Sequence, residues 1–157
     1  MKPATAASAL RVQAYLGPEY TVLEFEESTR SAADAAAAIG CAVAAIAKSL
    51  VFEMQDGSPL LVIASGRNRV DEARLAELLG QSVHRPDADF VRRHTGFSIG
   101  GVPPVGHPQP LPVVLDEDLL TLPEIWAAAG TPNAVFRLTP EQLNKLTNGR
   151  VAKVAVR

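Results

Sequence analysis

The chain has one cysteine, Cys41, in 157 residues, so no disulfide can form within it. A lone thiol fits a reducing cytoplasm, which is the expected location. Long apolar runs are also missing. No stretch approaches the roughly 20 residues of a membrane span, and the apolar letters of "MKPATAASAL" are too broken for a signal peptide. There is little excess of charge. Lys and Arg number 15 and Asp and Glu 17, a formal net charge of −2 with no basic tail, so a polyanion would have to meet a local basic patch. Neither DNA nor a membrane is an expected partner.

Several motifs are absent too. No Gly-Lys-Ser/Thr follows a glycine cluster, which excludes a P-loop, and neither a Rossmann fingerprint nor a G-x-S-x-G elbow is present. His84, His94 and His107 show no ligand spacing with Cys41 or with carboxylates, so neither metal nor cofactor is expected. The "DED" at 116–118 reads as a solvated acidic turn after a strand, and Cys41 as a small buried filler.

What remains is a chain with 47% apolar and 20% charged residues, ordinary for one soluble domain spanning 1–157. "AASALRVQAYLG" predicts a helix stopped by Gly17-Pro18, and "YTVLEF" a strand. "STRSAADAAAAIG" predicts a small-faced helix capped by Ser31 and closed by Gly40. "CAVAAIAKSLVF" reads as strand from Cys41 to Phe52, joined through the turn "QDGSP" to "LLVIAS" as a hairpin. "VDEARLAELLG" is an amphipathic helix, "SVHRP" a short strand, and "DADFVRRHTG" a helix capped by Asp87. After a long loop, "VVLDEDLL" resumes strand character. "TLPEIWAAAG" predicts a helix on Thr121 and Glu124 at capping-box spacing, with Trp126 in the core. "AVFRLT" is a strand, "TPEQLNKLTNG" a helix with Thr139, Pro140 and Gln142 at its start, and "VAKVAVR" a closing strand. This mixed order, with no repeat and no linker, argues for one α+β domain on a mixed sheet.

Two features carry chemistry. From Ala35 to Phe52 the only charged residue is Lys48. Strand alternation places it with Ile46, Leu50 and Phe52 on the bulkier face. One reading makes it an edge-strand lysine that snorkels to water. The other sets it in a pocket wall, as a positive donor to a ligand oxygen or phosphate. The second feature is "GGVPPVGH", Gly100 to His107. Glycines let a backbone approach a ligand, and prolines stiffen the loop while restricting the free amides to a few positions. Such a loop suits an oxyanion or carbonyl clamp, or equally a structural crossover.

The combination of "AAAAIGCAVAAIAKSLVF", a hairpin strand, a leucine-rich helix and "HTGFSIGGVPPVGH" closely resembles the YbaK-type family. This is the superfamily of bacterial prolyl-tRNA synthetase editing domains and their free-standing relatives. The resemblance runs from about Val22 to the C-terminus. It includes "AAAGTPNAVFRLTPEQLNKLTNGRVAKV", which opens around Gly130 and is similar to the family's closing segment. It implies a β-barrel-like mixed sheet surrounded by helices, in a free-standing domain that hydrolyses mischarged aminoacyl-tRNA at the 3′-terminal adenosine. The alternative is a non-catalytic module binding tRNA ends, nucleotides or a synthetase.

Lys48 falls on the family's functional lysine, and Gly100, Gly101 and Pro104 on its glycine-proline loop. Lys48, Gly100 and Gly101 are thus the expected catalytic groups. Phe25, Ile46, Val102, Pro104, Val105, Gly106, His107 and Gly130 are the expected substrate-binding ones. With no Ser-His-Asp set, the resemblance implies a water attacking the ester, assisted by the substrate's ribose hydroxyl. The expected partner is the aminoacyl-tRNA acceptor end, with proline tRNA as carrier by analogy, helped by a synthetase. Arg92, Arg93, Lys145, Arg150 and Lys153 are candidate phosphate contacts. His107 departs from the pattern of the cysteine-specific members, so alanine, cysteine, serine, threonine or a non-protein amino acid remain as the group removed.

Overall fold

The computed structural model describes residues 1–27, 29 and 31–157. In chain order the strands are β1 (Lys2–Pro3), β2 (Val22–Glu24), β3 (Ile46–Met54), β4 (Pro59–Ser65), β5 (Val83–His84), β6 (Val113–Asp116), β7 (Ile125–Ala128), β8 (Ala134–Leu138) and β9 (Arg150–Ala152). The helices are α1 (Ala7–Leu16), α2 (Ala32–Ile39), α3 (Glu72–Leu79), α4 (Ala88–Thr95) and α5 (Pro140–Thr147). The strands form one mixed sheet in the order β1-β2-β8-β7-β3-β4-β6-β9, with β5 paired to β3. The expected α+β domain, a mixed sheet surrounded by helices, is what the chain forms. No helix among the described residues is long and apolar enough to cross a membrane.

The helix ends follow their capping chemistry. The Ser31 side chain accepts from Asp34 N–H, Asp87 from Phe90 N–H, and Thr139 and Gln142 form a complete capping box behind Pro140. Ser28 and Arg30, part of the stretch read as leading into α2, lie outside the described residues.

Both faces of the β3–β4 hairpin are covered, as their apolar runs require. Ala47, Val51, Leu61 and Ile63 join the main core beneath α1 and α4. Phe52, Met54, Leu60 and Val62 pack with Leu75 of α3. Ile46 meets Phe25, Val135 and the alanines of α2 in a third cluster.

Five expectations are corrected. The stretch read as a helix over 121–130 is β7, preceded by a short 3-10 turn at Glu117–Thr121. Ile125 and Ala127 are fully buried while Trp126 and Ala128 are not, the alternation of a strand between β3 and β8. Only six residues separate Pro123 from Gly130, too few for a helix to displace that pairing. Trp126 is therefore half-buried rather than core. The β3 strand starts at Ile46, because Val43–Ala45 form a 3-10 turn that brings the chain from α2 into the sheet. The closing strand ends at Ala152, with only Ala155 bridging back to Val70. The 116–118 run is no solvated turn at its first member: Asp116 is fully buried.

Candidate functional site

The site arises from a gap in the sheet. On one side β3 pairs with β4 from Ala47 to Glu53. On the other side β7 covers only Ile46 and Ala47, and β5 only Glu53 and Met54. Met54 N–H donates to Ser58 O on the β4 side (2.9 Å) and Gln55 N–H to Ser82 O on the other side (2.9 Å). Along β3, then, even-numbered residues direct their peptide groups to β4, and odd-numbered residues direct theirs to β7 and β5. Ser49 and Val51 are odd-numbered and lie in the gap, so their N–H and C=O groups have no strand partner among the described residues. Backbone groups in that position call for a ligand or water. Beside them the Ser49 hydroxyl is buried without a partner.

A cavity of about 470 Å³ fills the gap. Its floor is Ile46 to Val51 of β3. Its apolar walls include Ala32 and Ala35 of α2, Val102 of the glycine-proline loop, and Trp126, Ala128 and Val135 of β7 and β8. The alanines of α2 explain themselves here: a helix with little side-chain bulk leaves room beside the sheet. Among the described residues no carboxylate lines the cavity, and the charged groups are Lys48 and Arg85.

Lys48 is not on a free sheet edge, since β4 flanks it on one side and the cavity on the other. Its ammonium donates to Asn68 O (2.6 Å) and, at the limit, to Gly66 O (3.5 Å). An ammonium has three donors, so one proton remains for a ligand. The loop that supplies those carbonyls is anchored from below. Asn68 Nδ2 donates to Asp116 Oδ2 (2.8 Å) and to Asp118 Oδ2 (2.8 Å), and Asp116 Oδ2 also accepts from Ser65 N–H (3.0 Å). Burial pushes the Lys48 pKa below the ordinary lysine value. The Asp116 carboxylate opposes that shift, and Arg85 adds to it.

The glycine-proline loop meets the cavity at two points, Gly100 and Val102. Gly101 N–H donates to Ser98 O (3.0 Å), closing a turn in which Gly100 has φ +91°. That fits a type II turn, whose third residue needs positive φ. Gly100 is exposed at the rim, and its N–H makes no hydrogen bond among the described residues. Gly101 faces inward. Its carbonyl accepts from Gly130 N–H (2.8 Å), and an added Cβ would stand 2.8 Å from Thr131 Cα and 2.9 Å from Gly130 C and O. Its amide is therefore not available to a substrate oxygen, and it serves to dock the loop on the β7–β8 turn.

Of the residues singled out in the sequence, Lys48, Ile46, Gly100 and Val102 line the cavity together. Phe25 lies one layer behind, packed with Ile46 and Val135. Val105 belongs to the main core. Pro104 is buried within the loop and Gly130 in the turn that supports Gly101. Gly106 lies against Tyr15 of α1. His107 Nε2 bonds Pro103 O (2.8 Å) across the loop, and burial lowers its pKa. Arg92 bonds Ser98 Oγ and Arg93 pairs with Asp89. These two, with Lys145, Arg150 and Lys153, do not line the cavity. Cys41 is half-buried against the third cluster, and burial raises its thiol pKa, which suits an unreactive filler. No group of three or more His, Cys, Asp or Glu among the described residues is placed to hold a metal.

Sequence reasoning missed Ser49, Trp126, Asn68, Asp116 and Arg85. The period-2 alternation of Ile125, Ala127 and Ala129 would have put Trp126 on a strand. The gap at Ser49 and Val51 depends on which strands flank β3, which no local pattern reveals.

Fold and site together define a single-domain α+β protein with a ligand-sized cleft in a split sheet, apolar inside and cationic at one lip. Residues 26–146 match the aminoacyl-tRNA editing domain family, and the chain belongs to that family. Among solved structures, one described as "a putative trans-editing enzyme for prolyl tRNA synthetase" superposes with a TM-score of 0.93 at 47% identity, covering 98% of this chain and 100% of that one. The hypothetical protein APE2540 superposes with a TM-score of 0.85 at 30% identity, over 93% and 99% of the two chains. The uncharacterized protein YwhH of Bacillus subtilis is 32% identical over 133 residues, 85% of each chain. EbsC of Enterococcus faecalis, described as a "putative Cys-tRNA(Pro)/Cys-tRNA(Cys) deacylase", is 28% identical over 144 residues, 88% of this chain and 86% of that one.

Proposed function

We propose that this protein hydrolyses the ester of mischarged aminoacyl-tRNA in trans, with the amino acid seated in the β3 gap. One observation carries the reading. Lys48, the unpaired peptide groups of Ser49 and Val51, and the exposed Gly100 amide belong to a single cavity. Each matches a part of the substrate. The α-ammonium needs acceptors, which the free carbonyls of Ser49 and Val51 supply. The ester carbonyl needs a donor where negative charge develops, and the Gly100 N–H stands at the rim for it. The third proton of Lys48 serves a phosphate or ribose oxygen of the terminal adenosine as a point charge.

Hydrolysis then needs only water. Water adds to the ester carbon, the carbonyl oxygen carries the negative charge through the tetrahedral species, and the ribose oxygen leaves with a proton. Family resemblance assigns the proton handling to the vicinal ribose hydroxyl. The protein's part is to fix the ester and stabilise the oxyanion. An apolar wall with no carboxylate among the described residues favours small uncharged amino acids over basic ones. Proline tRNA is the carrier proposed, in keeping with the description of the structural neighbour.

The test is deacylation of a panel of Ala-, Cys-, Ser- and Thr-tRNA(Pro), with Lys48→Ala alongside. Turnover of at least one ester is expected, with a loss in kcat/KM on the order of 10- to 100-fold in the variant, the size that follows from removing one charged hydrogen-bond donor to the substrate. If no ester is cleaved above its spontaneous rate while RNA still binds, the protein is a binding module on this fold.

A further inference from the structure

A second hollow, of about 430 Å³, opens on the other side of Lys48. It shares Lys48, Leu50 and Arg85 with the first. Its charged lining is Lys48, Arg67, Arg69 and Arg85 against one carboxylate, Glu72. Four cations to one anion is a steep local excess on a chain of net charge −2. Arg67, Arg69 and Arg85 are exposed, and none of the three forms an ion pair among the described residues. Every salt bridge described uses other cations; Glu72 acts on Arg85 and Asp118 on Arg67 only from beyond ion-pair distance, so the guanidinium donors stay open to an external anion.

The arginines also sit on fixed ground. Arg67 and Arg69 flank Asn68, whose side chain is tied to Asp116 and Asp118 and whose N–H donates to Ser65 O (2.9 Å). Arg69 O accepts from Val156 N–H (2.8 Å), and Asp71 N–H donates to Val154 O (2.7 Å). The loop is thus pinned between the end of β6 and the C-terminal segment. Arg85 lies with its guanidinium carbon 5.2 Å from the centroid of Phe52 on β3. A planar, pre-placed guanidinium is suited to phosphate oxygens, and its position costs little further ordering on binding.

We propose that this groove takes the phosphodiester backbone of the last unpaired nucleotides of the RNA, with Arg67, Arg69 and Arg85 as phosphate contacts. The inference rests on the first cavity holding the aminoacyl ester, because Lys48 then stands at the junction of amino acid and polynucleotide. The strand would leave the cleft over the 66–70 loop.

The test measures binding of an uncharged RNA minihelix with a single-stranded 3′ tail, by fluorescence anisotropy over a KCl series. It compares the wild type with Arg67→Ala/Arg69→Ala, Arg85→Ala and, as control, Lys2→Ala, an exposed cation on β1 that lines neither cavity. Loss of affinity of tenfold or more is expected for the groove variants, with the log–log salt slope reduced by about 0.7 per contact removed. The control should bind as the wild type does. Equal affinity and slope in groove variants and wild type would overturn the proposal, even if the ester is still cleaved. So would a loss confined to the control. A second arm keeps the two readings apart: cleavage of full aminoacyl-minihelix is compared with that of phosphate-free 3′-aminoacyl-adenosine. The ratio of the two kcat/KM values should fall tenfold or more in the groove variants. If no ester is cleaved by the wild type yet the groove variants lose RNA, the hydrolytic reading fails and the groove stands. If the groove variants instead lose only affinity for an acidic protein, the groove is a protein interface and the proposal fails.

Discussion

Lys48 is held by an arrangement that reaches the buried floor of the domain. Its ammonium rests on the Asn68 carbonyl, Asn68 is fixed by Asp116, and Asp116 also raises the lysine's pKa against the burial that lowers it. Asp116→Asn removes the negative charge and turns an acceptor of Ser65 and Asn68 into a mixed group. The Lys48 pKa should then fall further below its wild-type value, read from the side-chain NMR signals of the lysine during a pH titration. Stability should drop by about 1–3 kcal/mol, as for a buried network left partly unsatisfied. An unchanged lysine titration would show that Asp116 does not act on Lys48. The functional sign follows. Lys48 binds anions only when protonated, so RNA affinity is full below its lowered pKa and is lost as pH rises through it, earlier than for an exposed lysine. In Asp116→Asn that loss should come at still lower pH. Lys48 itself was legible as an anomaly, one charge in an apolar run, because burying an ammonium is costly and demands an explanation. Asn68 and Asp116 were not legible, because their polar letters are ordinary for a loop and become informative only once the loop folds beneath the lysine.

At the scale of elements, the cavity depends on short strands that fail to fill the sheet. β7 reaches β3 for only two residues, and β5 for only two more at its far end. The turn Gly130–Asn133 that joins β7 to β8 carries Gly101, and so the whole glycine-proline loop. Gly101→Ala would force a Cβ into the backbone of Gly130 and Thr131. We expect a loss of about 1–3 kcal/mol in denaturant unfolding, typical of overpacking against atoms that cannot yield, together with a raised KM as Gly100 moves from the rim. A silent Gly101→Ala would mean that the loop is not docked as described. The helices were readable from caps and period: the capping box at Thr139 and Gln142 and the Asp87 cap lie where the letters put them. The misread element is the one whose local chemistry pointed the wrong way. Trp126 to Ala129 is alanine-rich and follows a capping-box spacing, yet it pairs with β3 and β8, because tertiary pairing outweighs a few tenths of a kcal/mol per residue of helix propensity.

At the scale of the whole molecule, the two ends of the chain brace opposite parts of the sheet. The N-terminal segment is clasped by Glu24, 6% exposed, which accepts from Thr5 Oγ1 (2.9 Å) and Ala6 N–H (3.0 Å). The backbone bond from Ala6 is the main reason its carboxyl titrates below the usual range. A depressed carboxylate pKa contributes stability that is present above the ordinary value and is lost as pH falls through the folded one. Glu24→Gln should therefore be less stable than the wild type by about 2 kcal/mol near neutral pH. The gap should close as the medium is acidified below the ordinary glutamate range and through the lowered folded-state pKa. A difference that stays constant with pH would place the effect in packing instead. The overall α+β domain was evident from the sequence, since each segment's pattern had to be buried on one or two faces. The order of strands, and with it the gap, was not, because a strand's letters do not say how far its neighbour extends.

The most direct test of the site is an NMR titration of ¹⁵N-labelled protein with 3′-aminoacyl-adenosine in which an amide replaces the ester, so that nothing is cleaved. If the β3 gap is the substrate site, the largest amide shifts fall on Ser49, Val51, Gly100 and Val102, and the Lys48 ammonium signal moves with them. Shifts that leave those residues untouched and gather elsewhere on the domain would contradict the account.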